Sequence, residues 1–302
     1  MIALARFIMR GPSQAALVVT GAALLALILT PMAWISGGAL ALVALRLGMK
    51  DALLVMAYAA LGASVIGWFA LGSPAAPIGL ALFLWAPALI AAQILRQTVS
   101  LSSAMQVVAL LAVSGLGVMY LAVPDISSMW KGFLHETLQP MLSGSGQTLS
   151  KEDMDAALEL MSRLIPGILA SGLMISTLLS LLLGRWWQAA LYNPGGLSEE
   201  FNNLRLGQRT AALALFALGA AALLKADFLL GVLMVTTSLY LFQGLALVHG
   251  LIAIRQVSKA WLIGVYGTLL VFPYSVILIS TAGLVDAWAD FRARQKKPEN
   301  MA

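Results

Sequence analysis

Cysteine is absent from the 302 residues, histidine occurs twice, and Asp, Glu, Lys and Arg together make up only 10% of the chain. The lack of cysteine excludes disulfides, thiolate nucleophiles and cysteine-ligated metal or iron–sulfur centres. The two histidines, His135 and His249, are far apart and have no carboxylate at ligand spacing, so no metal site is expected. GxxxxGK[ST], HExxH and GxSxG are also missing. The chain is therefore not its own P-loop ATPase, and no catalytic motif or cofactor is indicated. No internal repeat of the kind that builds secondary transporters is visible.

What is present is apolar sequence. Hydrophobic residues make up 61% of the chain and its mean hydropathy is +0.92, where soluble domains run at about 45–50% apolar and about 25% charged. In a bilayer the backbone must satisfy its own polar groups. Runs this long do so as helices rather than as the alternating segments of a barrel. The fold class expected is all-α, a polytopic transmembrane helical bundle whose first partner is the lipid bilayer. The net charge is +5, but the basic residues lie in short loops between apolar runs. There they act as topology signals, and no nucleic acid is implied.

Charge spacing gives the spans. Arg10 and Arg46 enclose 35 uncharged residues, too many for one crossing of about 20, and the Pro31 break in "TPMAWISGG" divides them into a normal and a short span. Asp51 and Arg96 enclose 44, divided at "LGSPAAP" into a helical hairpin. Further spans are expected at Leu101–Val123, Leu164–Trp187, Leu206–Leu224, Phe228–Ile254 and Trp261–Leu284, nine in all. With the N-terminus cytoplasmic, the inner loops collect Arg6, Arg10, Arg46, Lys50, Arg96, Arg185, Arg205, Arg209, Arg255 and Lys259. The acidic segment 125–163 is then outside. Nine crossings also place "RARQKK" (Arg292–Lys297) outside, against the positive-inside tendency, so either one segment fails to cross or these charges are tolerated.

The stretch "GRWWQAALYNPGGLSEEFNNLRLG" (Gly184–Gly207) is the longest internal polar passage. Arg185, Trp186 and Trp187 read as an interfacial anchor, and Asn193–Gly196 as a helix stop. Ser198 can cap a short helix with Glu199 and Glu200 at its positive end, and Leu197, Phe201, Leu204 and Leu206 on one side. Such a helix either lies on the membrane surface or docks a protein.

The order of the first six spans, with a short second helix after a Pro-containing outer loop, resembles the six-helix S components of energy-coupling-factor transporters. More closely, "LYNPGGLSEEFNNLRLG", "FQGLALVHGLIA" (Phe242–Ala253) and "GLVDAWADFRAR" (Gly283–Arg294) resemble the bacterial YybS-like membrane proteins (domain of unknown function 2232). The resemblance implies an inner-membrane protein with an S-component-like six-helix core at 1–192. A cytoplasmic connector at 193–207 and a C-terminal helical extension at 208–302 would follow. It further implies a vitamin- or metabolite-like ligand bound near the outer face and a membrane partner met through small residues on the first helix. Ala22 and Ala26 are the small-xxx-small pair there, with internal packing as the alternative. Glu199, Glu200 and Arg205 are the candidate docking residues of the connector.

On the outer side, "SSMWKGFLHETLQPML" places Trp130, Phe133, Leu134, Leu138 and Met141 at helical spacing. After the link Ser143–Gly146, Ser150 and Asp153 resemble a capping box. Two such amphipathic helices would form a lid or rest in the interface. Trp34, Tyr120, Trp130, His135 and Glu136 are the groups on that side able to line a ligand mouth. Within the spans, Gln243, His249 and Asp286 are the polar candidates. His249 has satisfied packing as its alternative reading. Asp286, Asp290 and Arg294 recur every four residues, so they share a helix face on which Asp290 and Arg294 can pair. Lys225 and Asp227 mark a tight turn. The functional expectation is small-molecule binding and transport without an intrinsic motor. The alternative is a scaffold or assembly factor that docks a protein through the connector.

Overall fold

A computed structural model of the chain describes residues 1–73, 75–145 and 151–295. Among them there is no strand. The helices are α1 (Ile2–Ile8), α2 (Pro12–Leu25), α3 (Met32–Arg46), α4 (Met49–Leu71), α5 (Ala75–Thr98), α6 (Leu101–Ala122) and α7 (Ile126–Ser145). They continue with α8 (Lys151–Tyr192), α9 (Gly196–Asn202), α10 (Gly207–Leu224), α11 (Asp227–Arg255), α12 (Ala260–Val271), α13 (Ser275–Ala289) and α14 (Phe291–Gln295). Met49–Phe69, Leu101–Ala122, Glu152–Tyr192, Gly207–Leu224 and Asp227–Arg255 are long and apolar enough to cross a membrane. The apolar helices α2, α3, α12 and α13 are shorter. The polytopic helical bundle expected from composition is what forms.

Helix ends on one side of the bundle are tied together. The Arg46 guanidinium lies over the Tyr192 ring, Arg96 Nη1 donates to Ala44 O at 3.2 Å, and Gln106 Nε2 donates to Leu206 O at 2.6 Å. This side, which carries the 193–207 connector, is called the connector side, and the opposite one the far side.

The core of the bundle is a row of four helices, α3, α8, α11 and α13, all running in the same direction. Between helices surrounded by lipid there is no water to expel, so close approach depends on small residues. A Cβ on Gly37 would fall 2.6 Å from Ser180 Oγ, and one on Gly184 would fall 2.7 Å from Gly38 O. A Cβ on Gly167 would fall 2.8 Å from the Cα of Gly231, and one on Gly283 would fall 2.6 Å from Tyr240 O. Backbone touches backbone at each crossing. Hydrogen bonds stitch α2 and α5 to this row, where Ser36 Oγ donates to Val19 O and Trp85 Nε1 donates to Ser36 Oγ, and another joins α13 to α11 within it, where Ser280 Oγ donates to Thr237 O, all at 2.8–2.9 Å.

The expected ninth span is not one helix. Pro273 lacks an amide proton and disfavours helical geometry in the residue before it. Phe272 accordingly leaves the helix at φ −120°, ψ 89°. The chain goes out along α12 and returns along α13 beside α11. The C-terminal arginines therefore reach the connector side, where nine full crossings would have put them opposite.

Candidate functional site

Gly195 adopts φ 90° and serves as the N-cap of α9, so the cap expected of Ser198 is not made. Leu204 and Leu206 of the following stretch are buried, and Phe201 meets the His249 ring edge-on. The expected amphipathic helix forms, and its apolar side faces its own chain. Arg185 is buried and holds Glu200 through both Nε, at 3.0 Å, and Nη2. Trp187, expected as a lipid-surface anchor, is wholly buried, while Trp186 is 38% exposed. A helical step of 100° separates the two rings, so only one can face the lipid.

The pairing expected between Asp290 and Arg294 is replaced. Asp290 lies at φ 42°, which ends α13 and takes Arg294 off the face of Asp286. Asp290 binds Arg205 at 2.6 Å instead. Asp286 and Arg292 form a buried pair at 2.6 Å, and the guanidinium also donates to Asn202 O and Leu204 O, each at 2.8 Å. Gln243 accepts from the Leu206 amide at 2.8 Å and donates to Gly283 O at 2.6 Å. His249 lies 3.0 Å from the Tyr266 hydroxyl. Partial burial raises the Asp290 carboxyl, but Arg205, the Ala293 amide and the Arg292 charge together outweigh it and hold the group below the usual carboxylate range. Of the candidate docking residues, Glu200 and Arg205 are thus engaged within the chain, and Glu199 is exposed. Ala22 is buried and Ala26 is the C-cap of α2.

On the far side, Asp125 accepts from the Ser128 amide at 3.0 Å, which starts α7 and holds the carboxyl below its ordinary range. Arg163 Nε donates to Asp227 Oδ1 at 2.7 Å, the Ser127 hydroxyl lies 3.4 Å from the same carboxylate, and Lys131 pairs with Glu159 at 3.3 Å. Asp227 does more than mark a turn. Its partner lies 64 residues away on another helix, and no spacing rule connects them. The Tyr120 ring stands edge-on to Phe228, with centroids 5.7 Å apart. The Tyr120 hydroxyl and Trp130 Nε1 are buried without a hydrogen-bond partner, as are Trp187 Nε1 and Arg292 Nε on the connector side. Of the five candidate mouth residues, Tyr120 and Trp130 flank this cluster. Trp34 is half-buried in the first turn of α3, and His135 and Glu136 are exposed on α7. Ser150, Gly146, Lys296 and Lys297 lie outside the described residues, as does the side chain of Met141.

Below the cluster, α5, α6 and α8 enclose an apolar cleft of about 360 Å³ lined by Phe83, Leu116, Met119, Pro166, Leu169 and Leu173. It continues toward mid-bundle as a space of about 200 Å³ past Pro87, Val108 and Thr177. Proline in each of two flanking helices, at 87 and 166, removes a ladder hydrogen bond where those helices part. Phe83, Val118 and Leu169 are exposed at the rim, so the cleft opens sideways toward lipid. A second cleft of about 340 Å³ lies among α6, α10 and α11, bordered by Gln106, Thr210 and Tyr240.

Residues 15–287 match the family model described as "Predicted membrane protein (DUF2232)". The chain belongs to this family. No curated protein and no solved structure matches it. The far-side cluster and both clefts fall inside the DUF2232 match, while Asp290 and Arg292 lie just beyond it. Among the described residues of this DUF2232 protein, no group of three His, Asp or Glu could hold a metal. The chemistry on offer is recognition, with apolar surface in the cleft and hydrogen-bond donors above it.

Proposed function

We propose that this DUF2232 protein is the binding component of a small-molecule transport system of the bacterial inner membrane, similar in role to an S component and dependent on a separate motor or ion gradient. The observation that carries this reading is the α5–α6–α8 cleft, with its apolar walls and its sideways opening to lipid, below the polar far-side cluster. Ligand sites in helical bundles are mostly apolar concavities with a few placed polar groups. The N-terminus and connector are assigned to the cytoplasm, because Arg46, Lys50, Arg96, Arg205, Arg209, Arg292 and Arg294 collect on the connector side. The cleft would then take its ligand from the outer leaflet. The scaffold reading requires the connector to offer its charges outward, whereas Glu200 and Arg205 are spent on Arg185 and Asp290.

Native mass spectra of the full chain released from its host membranes test the proposal. The expected result is a reproducible small-molecule adduct that disappears in Gly115→Leu. A Cβ at Gly115 meets nothing within 4 Å, so this substitution fills the cleft without a backbone clash. An adduct-free protein carrying a stoichiometric protein partner would sink the carrier reading in favour of the scaffold.

A further inference from the structure

The far-side cluster has a surplus of donors. Only Nε of the Arg163 guanidinium is engaged, and among the described residues its two terminal amino groups have no protein acceptor. The Tyr120 hydroxyl and the Trp130 indole, a group that can only donate, are buried without partners. Buried donors are nearly always paired. Tyr120 packs on Phe228, the neighbour of Asp227, and Trp130 lies one turn from Ser127, which meets the same carboxylate, so two unpaired buried donors share this end of the bundle with the half-open guanidinium and point to something that accepts from all three.

Register places the set over the cleft. Tyr120 is one turn beyond Leu116 on α6, and Arg163 lies three residues before Pro166 on α8; both Leu116 and Pro166 line the cleft. Trp130 is held between the Ser127–Asp227 and Lys131–Glu159 contacts of α7. The unpaired donors on the connector side, Trp187 Nε1 and Arg292 Nε, line none of the clefts described above, and the acid there is already paired.

We infer that Arg163, Tyr120 and Trp130 hold the acceptor-only head of a single-chain amphiphile, a carboxylate or a phosphate, whose apolar tail lies in the α5–α6–α8 cleft. This rests on the proposal that the cleft binds a membrane-partitioning molecule at all. Asp227 orients the guanidinium through Nε and leaves its fork facing the head, the arrangement that suits planar or tetrahedral oxyanions. Entry is lateral, between the exposed Phe83, Val118 and Leu169, so that the tail never leaves an apolar environment.

The test uses the full chain in phosphatidylcholine nanodiscs and three photoactivatable probes sharing one diazirine-bearing hexadecyl chain, with a carboxylate, a phosphate or an ammonium head. After irradiation, labelled peptides are mapped by mass spectrometry. Expected is labelling of segments 111–119 and 166–173 by one or both anionic probes, with the ammonium probe about tenfold weaker, the scale of one charge-assisted hydrogen bond. Which anionic head labels better separates carboxylate from phosphate. Arg163→Gln should reduce anionic labelling about tenfold and Arg163→Lys less so. Tyr120→Phe, which leaves the Arg163–Asp227 pair intact, keeps the test decisive if Arg163→Gln fails to fold, and should reduce it severalfold. Gly115→Leu should remove cleft labelling for every head. Equal labelling by all three heads, unmoved by either substitution, would overturn the head assignment and leave the cleft reading standing. Labelling spread evenly over lipid-facing helices, and unmoved by Gly115→Leu, would overturn both.

Discussion

Arg292 and Asp286, beside the connector, expose 3% and 1% of their side chains, whereas Arg163 and Asp227, at the far end, expose 39% and 24%. Both are Arg–Asp pairs, the first between residues six apart across the turn at Asp290 and the second between residues 64 apart on different helices. The first is enclosed by acceptors: Asn202 O and Leu204 O take two further guanidinium protons, and Nε stays without a partner. The second is joined through a single nitrogen next to an apolar cleft. A sealed pair fixes two pieces of chain against each other, and an open pair keeps donors for something else. The same residue types thus serve architecture at one end of the bundle and recognition at the other.

The sharpest way to break this comparison is to remove one partner from each pair. Arg292→Ala or Asp286→Ala leaves a buried charge uncompensated and should cost about 3–5 kcal/mol in a detergent-solubilised unfolding assay. Replacing both with apolar residues of similar volume should recover most of that. Arg163→Gln should cost far less, because that pair is partly exposed and screened by its surroundings. Equal losses at the two ends would show that both pairs are structural and that the far end has no donors to spare.

Next in size is a contrast between glycines. A Cβ on Gly244 would collide with the Ile279 carbonyl, which is backbone and cannot rotate away, so Gly244→Val should cost about 1–3 kcal/mol or more. Gly115 borders the cleft and a Cβ there meets nothing, so Gly115→Ala should instead gain roughly 0.5–1 kcal/mol of helix propensity. Thermal melts of the two variants read the difference between a filled crossing and an open wall. A loss at Gly115 comparable to that at Gly244 would mean that the cleft is closed in solution.

How much of this was legible in the sequence follows from the range of each interaction. The bundle, the short α3 and the amphipathic α7 follow from apolar run length and local periodicity, which are properties of neighbouring residues. The Phe272–Tyr274 break is masked by run length, because "WLIGVYGTLLVFPYSVILISTAGL" is long and apolar enough for one span, and Pro273 is its only local signal. The Arg163–Asp227, Arg205–Asp290 and Asp286–Arg292 pairs could not be read, because two depend on which helices become neighbours and the third on the left-handed turn at Asp290. Local rules favoured Asp290 with Arg294, and tertiary packing overrode them. Tyr120 and Trp130 were reachable as aromatic groups at predicted helix ends. Arg163 ends the acidic outer segment 125–163 and carries no local signal of a role; that its guanidinium retains unpaired donors beside a cleft needs three dimensions.

A smaller effect tests whether the two ends also differ in their turns. The α4–α5 turn on the far side uses Gly72 at φ 66°, whereas the α5–α6 turn on the connector side uses Val99 at φ 51°. A β-branched residue pays steric strain in that region, on the order of 1–2 kcal/mol. Val99 is exposed and has little packing to lose. Val99→Gly should therefore raise stability by about 0.5–1 kcal/mol, the relief being partly offset by the added freedom of glycine in the unfolded chain. A lower melting temperature would mean that Val99 makes lipid contacts worth more than its strain.

The smallest expected effect decides whether exposure or position sets the strength of these ion pairs. Arg205 and Asp290 belong to the connector side, yet expose 50% and 38% of their side chains. The Asp290 carboxyl is held below its ordinary value of about 3.9. Such a group adds stability that is fully present above the unfolded-state value and is lost as the pH falls through the folded one. Unfolding midpoints measured from pH 6 down to pH 3 should therefore fall slightly more for the native chain than for Asp290→Ala. With solvent screening the gap at pH 6 should stay below about 1 kcal/mol. If exposure governs, this pair behaves like Arg163–Asp227 despite sitting beside Arg292. A gap of several kcal/mol would assign Asp290 to the sealed cluster and move the boundary between the two regimes outward to the end of α13.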